Sequence, residues 1–317
     1  MDKVYIQTSK CVKLSDRNIG DDYIIHLVQI LKTHRSIEEL DISFNLIRKS
    51  AKLLAQFLQN NQTLEILNIQ HNLIRAEGAI ALAGALKVNQ TLKELNLSCN
   101  KIGNKGVIAL AQALENNRNL KELYLYDNEI GKEGAIALAQ ALQTNQTLKT
   151  LYLWGNKIGN EGVIAFAQTL QTNQTLEELY LSDNIIGKEG AIALAQTLQT
   201  NQTLKTLDLW GNEIGNESAI ALAQALETNQ TLEILNLVYN KIGENSERAL
   251  TFSLFINKSL KFLFLDYRKI EGTRFNHLET KNETILKKRK QYQKLLRLLN
   301  STFLSDDVLS STILING

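Results

Sequence analysis

The sequence predicts an α/β solenoid, about ten 28-residue β-α units stacked as a horseshoe, with parallel strands on the concave face and helices on the convex face. Three observations predict it. A nine-residue segment, L-K-E-L-N-L-S-C-N from Leu92, returns as L-K-E-L-Y-L-Y-D-N from Leu120, L-K-T-L-Y-L-W-G-N from Leu148 and L-E-E-L-Y-L-S-D-N from Leu176. Its third apolar position falls at Leu14, Ile42, Ile69, Leu97, Leu125, Leu153, Leu181, Leu209, Leu237 and Leu265, spaced by 28 except for 27 between Ile42 and Ile69. Each unit also passes from strand-like alternation to helix-like spacing of its apolar residues. An ordinary doubly wound sheet has no reason to keep a near-constant period, whereas stacked supersecondary units do.

Each element of the unit has a physical reason. L-x-x-L-x-L alternates around its last two leucines, as a short strand with one buried face does. The asparagine that follows (Asn100, Asn128, Asn156) stands where the chain leaves the strand, and its amide can satisfy backbone groups of neighbouring turns as a buried ladder. Next comes I-G-x-x-G, with Ile130, Gly131 and Gly134 as one copy: the first glycine suits a turn at positive φ, the second a close approach to a helix. A-I-A-L-A-Q-A-L then sets Leu138 and Leu142 four apart on one helical face. T-N-Q-T ends the helix and leads into the next strand. A single unit cannot bury its apolar faces, but stacked units can, with strands about 4.8 Å apart on one side and the wider helices on the other.

Composition narrows the function. The chain has 317 residues, 44% hydrophobic and 21% charged, with a formal net charge of +2. Cys11 and Cys99 have no C-x-x-C spacing and lie three repeats apart, about 14 Å on strand spacing, so neither a zinc site nor a disulfide is expected. The N-terminus lacks the apolar run of a signal peptide, and no apolar stretch is long enough to span a membrane. Sequons at Asn61, Asn89, Asn145, Asn173, Asn201 and Asn229 would be heavily glycosylated in a eukaryotic secreted protein, so a cytosolic or bacterial origin is the simpler expectation.

The pattern L-x-x-L-x-L-x-x-N-x-I-G-x-x-G-x-x-x-L-x-x-x-L resembles the ribonuclease-inhibitor class of leucine-rich repeats over residues 1–267. The resemblance implies a protein-binding module, since members of that class are mostly enzyme inhibitors, regulators of small GTPases and innate-immune sensor domains. N-Q-T-L in place of the usual N-P-x-L, with no proline in the chain, departs from the class. Near-identical repeats rich in asparagine and lysine look like those of effector proteins of intracellular bacterial pathogens. The implied localisation is therefore cytoplasmic, or secreted by a bacterium into the host cell cytosol.

Residues between and after the leucines should face the hollow and stack as four columns. The first includes Cys11, Glu39, Glu94, Glu122, Thr150, Glu178 and Thr206; the second Lys13, Asp41, Tyr124, Tyr152, Tyr180 and Asp208. The third includes Tyr126, Trp154 and Trp210, and the fourth Asp16, His71, Cys99, Asp127, Asp183 and Tyr239. The columns hold ten carboxylates against Lys13 alone, so an acidic hollow is expected in a slightly basic chain. Cross-strand stacking alone could explain the tyrosines. It explains less well why both tryptophans share a face that needs no core packing, and grouped exposed aromatics mark interaction sites. The candidate partner site is Glu94, Glu122, Tyr124, Tyr126, Asp127, Tyr152, Trp154, Glu178, Tyr180, Asp183, Asp208, Trp210 and Tyr239. It should take a protein with a basic surface and repel nucleic-acid phosphates.

No catalytic motif is present, and the repeat glycines are not a phosphate cradle. His71, Cys99 and Asp127 follow one another in the fourth column, but the carboxylate stands beside the cysteine, where it would raise the thiol pKa rather than orient the histidine. No enzyme activity, cofactor or metal is expected. Residues 268–317 break the pattern: Ile285, Tyr292, Leu295, Leu296 and Leu299 lie near helical spacing among Lys287, Lys288, Arg289, Lys290 and Lys294. A helical cap is the first reading of this segment and contact with anionic membrane the second, though no stable membrane association is expected. The sequence thus leads to a protein-binding module, monomeric when free, that inhibits or regulates an enzyme through its concave face. A scaffold that recruits without inhibiting is the alternative.

Overall fold

The computed structural model describes residues 10–34 and 36–265. Asp266, Tyr267 and the whole expected cap, 268–317, lie outside the described residues. Ten three-residue strands form one parallel sheet in chain order: β1 Cys11–Lys13, β2 Glu39–Asp41, β3 Ile66–Asn68, β4 Glu94–Asn96, β5 Glu122–Tyr124, β6 Thr150–Tyr152, β7 Glu178–Tyr180, β8 Thr206–Asp208, β9 Ile234–Asn236 and β10 Phe262–Phe264. Between them run the helices α1 Asp21–Thr33, α2 Ala51–Asn60, α3 Arg75–Leu86, α4 Gly103–Leu114, α5 Lys132–Thr144, α6 Gly159–Leu170, α7 Lys188–Leu198, α8 Asn216–Thr228 and α9 Glu244–Ile256. Strands pair position for position, Leu95 with Leu123 and Leu123 with Leu151. This is the expected α/β leucine-rich-repeat solenoid.

The core is one continuous ribbon between sheet and helices. In the fifth repeat Leu120, Leu123 and Leu125 from the strand side meet Ile130, Leu138 and Leu142 from the turn and helix, all buried. Burying one such side chain stabilises by about 1.5–3 kcal/mol, and the second to ninth repeats contribute equivalent sets, with Phe166 in place of the first helix leucine in the sixth.

Both polar ladders lie inside this ribbon. The expected one uses the asparagine after the strand: Asn156 Nδ2 donates to the carbonyls of Leu125 and Leu153 (3.1 and 2.8 Å), while its Oδ1 accepts from the N–H of Asn128 and Ile130 (both 3.0 Å). The second is built from the sequon asparagines, which the sequence reading took only as helix ends. Asn145 is fully buried, donating to the carbonyls of Leu114 and Asn117 (2.8 and 3.0 Å) and accepting from the N–H of Thr147 and Leu148 (3.0 and 2.9 Å). Asn89, Asn173, Asn201 and Asn229 are buried in the same way, so the folded chain encloses the asparagines of these sequons.

One local expectation needs correcting. The first glycine of I-G-x-x-G reaches positive φ at Gly103 and Gly159 but not at Gly131, which is extended (φ −96°, ψ −169°). Its N–H, with that of Gly134, is instead capped by Oδ1 of Asn104 from the preceding helix (2.7 and 3.3 Å). Space is the constraint there: a Cβ on Gly134 would lie 2.9 Å from that oxygen and 2.9 Å from Ile130 Cγ2. Asn160 caps α7 and Asn216 caps α9 in the same manner, so α4, α6 and α8 each supply the cap of the next helix.

Candidate functional site

Only the first two columns lie within the strands; the third and fourth are consecutive residues in the turn that follows. The parallel ladder nevertheless runs on through them. Leu125 N–H donates to Tyr152 O (2.9 Å), Asp127 N–H to Trp154 O (3.0 Å) and Asp183 N–H to Trp210 O (2.9 Å), which keeps the columns in register. Every described residue of the fourth column, from Asp16 to Tyr239, has positive φ. That left-handed step turns the chain so that the next residue, the ladder asparagine, points inward. Gly adopts it freely and Asp and His more readily than most residues, whereas Phe44, Cys99 and Tyr239 are unusual occupants.

The aromatic residues form ordered stacks. Tyr124, Tyr152 and Tyr180, at the ends of β5, β6 and β7, lie ring on ring with centroids 4.2 and 4.4 Å apart and planes within 11°. Tyr126 stacks on Trp154 at 4.3 Å, and Trp210 meets Tyr239 edge to face at 5.3 Å. Cross-strand stacking is therefore real, and it leaves most of these rings half-buried. Trp154 is 36% exposed and Tyr239 62%. Tyr124 and Tyr180 each donate their hydroxyl to the glutamate two residues earlier, Glu122 (2.8 Å) and Glu178 (2.9 Å). Burial, then that hydrogen bond, pushes both phenols far above their ordinary pKa.

The carboxylates separate into two groups. Along the entrance to the strands, a row outside the four columns is paired: Lys149 and Lys205 both hold Glu177 (2.9 and 2.6 Å), and Lys261 holds Glu233 (2.6 Å). Among the described residues no ion pair involves Glu94, Glu122, Asp127, Glu178, Asp183 or Asp208. Burial raises the carboxyl pKa of Glu94, Asp127 and Asp183, helped at Glu94 by the neighbouring Glu122 and at Asp183 by Asp127. Acids outside any ion pair, half-buried at Glu94, Glu122, Glu178 and Asp208 and exposed at Asp127 and Asp183, therefore lie beside the aromatic stacks.

The face also alternates with a two-repeat period that the single-repeat reading missed. Thr150 and Thr206 replace Glu122 and Glu178, and Gly155 and Gly211 replace Asp127 and Asp183. At the turn the alternating residues meet: a Cβ on Gly155 would lie 2.3 Å from Asp127 Oδ1, and one on Gly211 2.2 Å from Asp183 Oδ1. Each aspartate leans over the glycine of the following repeat. Writing the repeats in pairs of 56 residues, with Trp-Gly at 154–155 and again at 210–211, exposes the alternation in the sequence itself.

A groove of about 500 Å³ runs along the turn edge, lined among others by Leu46, His71, Cys99, Lys101, Asp127 and Lys157. His71 stacks on Phe44 at 4.8 Å, and the Cys99 thiol donates to Asp127 Oδ2 (3.8 Å). Burial and then Asp127 push that thiol up to about 11, so it is protonated at neutral pH and a poor nucleophile. Among the described residues no group of three or more His, Cys, Asp and Glu is placed to hold a metal, and no helix is long and apolar enough to cross a membrane.

Seven segments, 60–83, 88–111, 116–139, 144–167, 172–195, 200–223 and 228–245, match the profile of the family described as Leucine Rich repeat, together just over half of the chain. No curated protein matches the sequence. Solved structures do. Leiomodin-1 Actin-Binding Site 2 is 20% identical, with 53% of this chain and 95% of that one covered and a TM-score of 0.40. The C-terminal domain of Caenorhabditis elegans tropomodulin is 19% identical, covering 49% and 92%, with a TM-score of 0.41.

Proposed function

Because the chain belongs to the leucine-rich repeat family, whose members generally mediate protein–protein interaction, we propose that its strand-lined face binds a protein with a basic surface. One observation carries this reading: the unpaired carboxylates Glu94, Glu122, Asp127, Glu178, Asp183 and Asp208 surround the stacked Tyr124, Tyr126, Tyr152, Trp154 and Tyr180, with Trp210 and Tyr239 beside them. Aromatic surface ringed by unpaired charge suits a binding centre with an electrostatic rim. The bound protein is an enzyme that the array inhibits or regulates by occlusion, and the array is monomeric until it binds. The repeat pattern supports the ribonuclease-inhibitor-like class. The near-identical, asparagine- and lysine-rich units support a bacterial effector acting in the cytosol. The raised thiol pKa of Cys99 argues against nucleophilic catalysis in the turn-edge groove.

The test compares capture of partners by the full chain with capture by a Trp154→Ala/Trp210→Ala variant and by Gln140→Ala/Gln168→Ala on the exposed helix side. For a protein retained by the wild type, the tryptophan variant should lose about 30- to 1,000-fold in affinity, and the glutamine variant little. Neutralising one rim carboxylate should mainly slow association and flatten its salt dependence. The opposite pattern, glutamine-sensitive and tryptophan-indifferent, refutes the site. Turnover of the bound enzyme falling in proportion to complex formed identifies an inhibitor; unchanged turnover at saturation identifies a scaffold.

A further inference from the structure

We propose that the tyrosine stack ends in a slot for an arginine side chain, bounded by Tyr180, Asp208, Thr206 and Trp210; this rests on the reading of the strand face as a docking surface for a basic protein. The stack has two ends, and they differ. In the second column Asp208 pairs in register with Tyr180, at the place where a fourth tyrosine would extend the stack. Among the described residues Tyr180 has one ring partner, Tyr152, so the face turned toward β8 carries no ring. An aspartate is much shorter than a tyrosine, so no side chain of the second column reaches ring height there, and the slot lies in that step. Asp208 Oδ1 accepts the N–H of Trp210 (3.0 Å), which holds the carboxylate at the base of that space. On its entrance side stands Thr206, small and buried, where β7 has Glu178; on the turn side stands Trp210.

At the other end Tyr124 pairs with Asn96, whose neutral amide donates to Gln70 Oε1 (3.3 Å). No carboxylate shares the second column there. At the β8 end the carboxylate stands in the same column as the open ring face, whereas at the β4 end the near carboxylate, Glu94, stands in the first column.

The occupant that matches is a guanidinium rather than an ammonium. It is flat, continues a stack whose rings lie about 4.2–4.4 Å apart, and can donate edge-on to Asp208 while its face lies on Tyr180. Glu178, which accepts from the Tyr180 hydroxyl, adds negative charge beside the same ring. A lysine ammonium is a hydrated point charge and gains less from a ring face next to a half-buried carboxylate.

The experiment uses the full chain, whose two tryptophans, Trp154 and Trp210, both belong to this face, so that their fluorescence reports binding. Capped tetra-arginine and tetra-lysine peptides are titrated at low salt. The arginine peptide should bind about 3- to 30-fold more tightly. Tyr180→Leu should abolish that preference by weakening the arginine peptide alone, and Asp208→Asn should weaken both peptides, the arginine one more. Circular dichroism confirms the fold of each variant, and should Tyr180→Leu fail it, the preference and the Asp208→Asn response decide. Equal affinities for the two peptides, or a preference unchanged in the folded variants, overturn the slot and leave the basic-partner reading standing. Absence of binding by either peptide overturns both.

Discussion

Replacing Asn145 with alanine should destabilise the array far more than its place in a surface-like N-Q-T sequence suggests. The buried amide makes four hydrogen bonds to main-chain groups, two donated to the carbonyls of Leu114 and Asn117 and two accepted from the N–H of Thr147 and Leu148. At about 0.5–1.5 kcal/mol net for each, their loss amounts to about 2–6 kcal/mol. For a folded unit of this size 1 kcal/mol moves Tm by about 2–4 °C, so a fall on the order of 10 °C is expected. The defect sits at the junction of two repeats, and coupling in a solenoid is between neighbours, so melting should also broaden or split. The assay is thermal and urea unfolding followed by far-UV circular dichroism. Gln146→Ala, at the exposed neighbour in the same sequon, serves as control and should stay within about 0.5 kcal/mol. Asn145→Asp removes both donors and sets a buried charge against two carbonyl oxygens, so it should be at least as damaging at neutral pH. If Asn145→Ala proves as mild as Gln146→Ala, the second ladder is not what ties the repeats together, and the reasoning fails.

Three further outcomes are expected. Gly155→Ala should cost about 1–2 kcal/mol for its left-handed backbone, with little added by Asp127, whose exposed carboxylate can swing off the new Cβ; a double-mutant cycle with Asp127→Ala in urea should show coupling below about 0.5 kcal/mol. Affinity for a basic partner should fall as pH drops toward the carboxylate range, since a bound cation favours the ionised form. With Glu94, Asp127 and Asp183 raised by burial, the loss should begin at a higher pH than for ordinary carboxylates, which titration calorimetry across pH 4–8 would detect. The same groups act on stability with the opposite sign: a carboxyl whose folded pKa is raised favours folding at low pH, and that contribution is lost as pH rises through the folded pKa. We propose that residues 268–317 cap the array. Deletion after Tyr267 should then lower Tm or cause aggregation, since α9 and β10 already expose Phe252, Ile256 and Phe262; unchanged melting and a monomeric sedimentation profile would refute it.

Much of the candidate site could be read from spacing. Once the repeat was aligned, Tyr124, Tyr152 and Tyr180 had to fall in one column and Tyr126 and Trp154 in another, because a parallel sheet in constant register leaves no freedom there. Less legible was how those side chains meet. A column predicts proximity, but whether rings stack, tilt or point into solvent depends on neighbours 28 residues away. Asp127 is an example: its companions in sequence say nothing of the glycine at 155 over which its carboxylate leans.

The sequence by itself determined the solenoid, its ten strands and their order, the buried leucines and the first asparagine ladder, because a short period repeated many times leaves one way to bury its apolar faces. Only the tertiary structure decided that the sequon asparagines are an internal ladder, that Gly131 is extended beneath a cap from the preceding helix, and that the fourth column is left-handed. It also decided which acids are in ion pairs and which are not. Those features depend on contacts between repeats, where an amide, a carboxylate or a ring takes its conformation from a neighbour one period away rather than from its own surroundings in the chain.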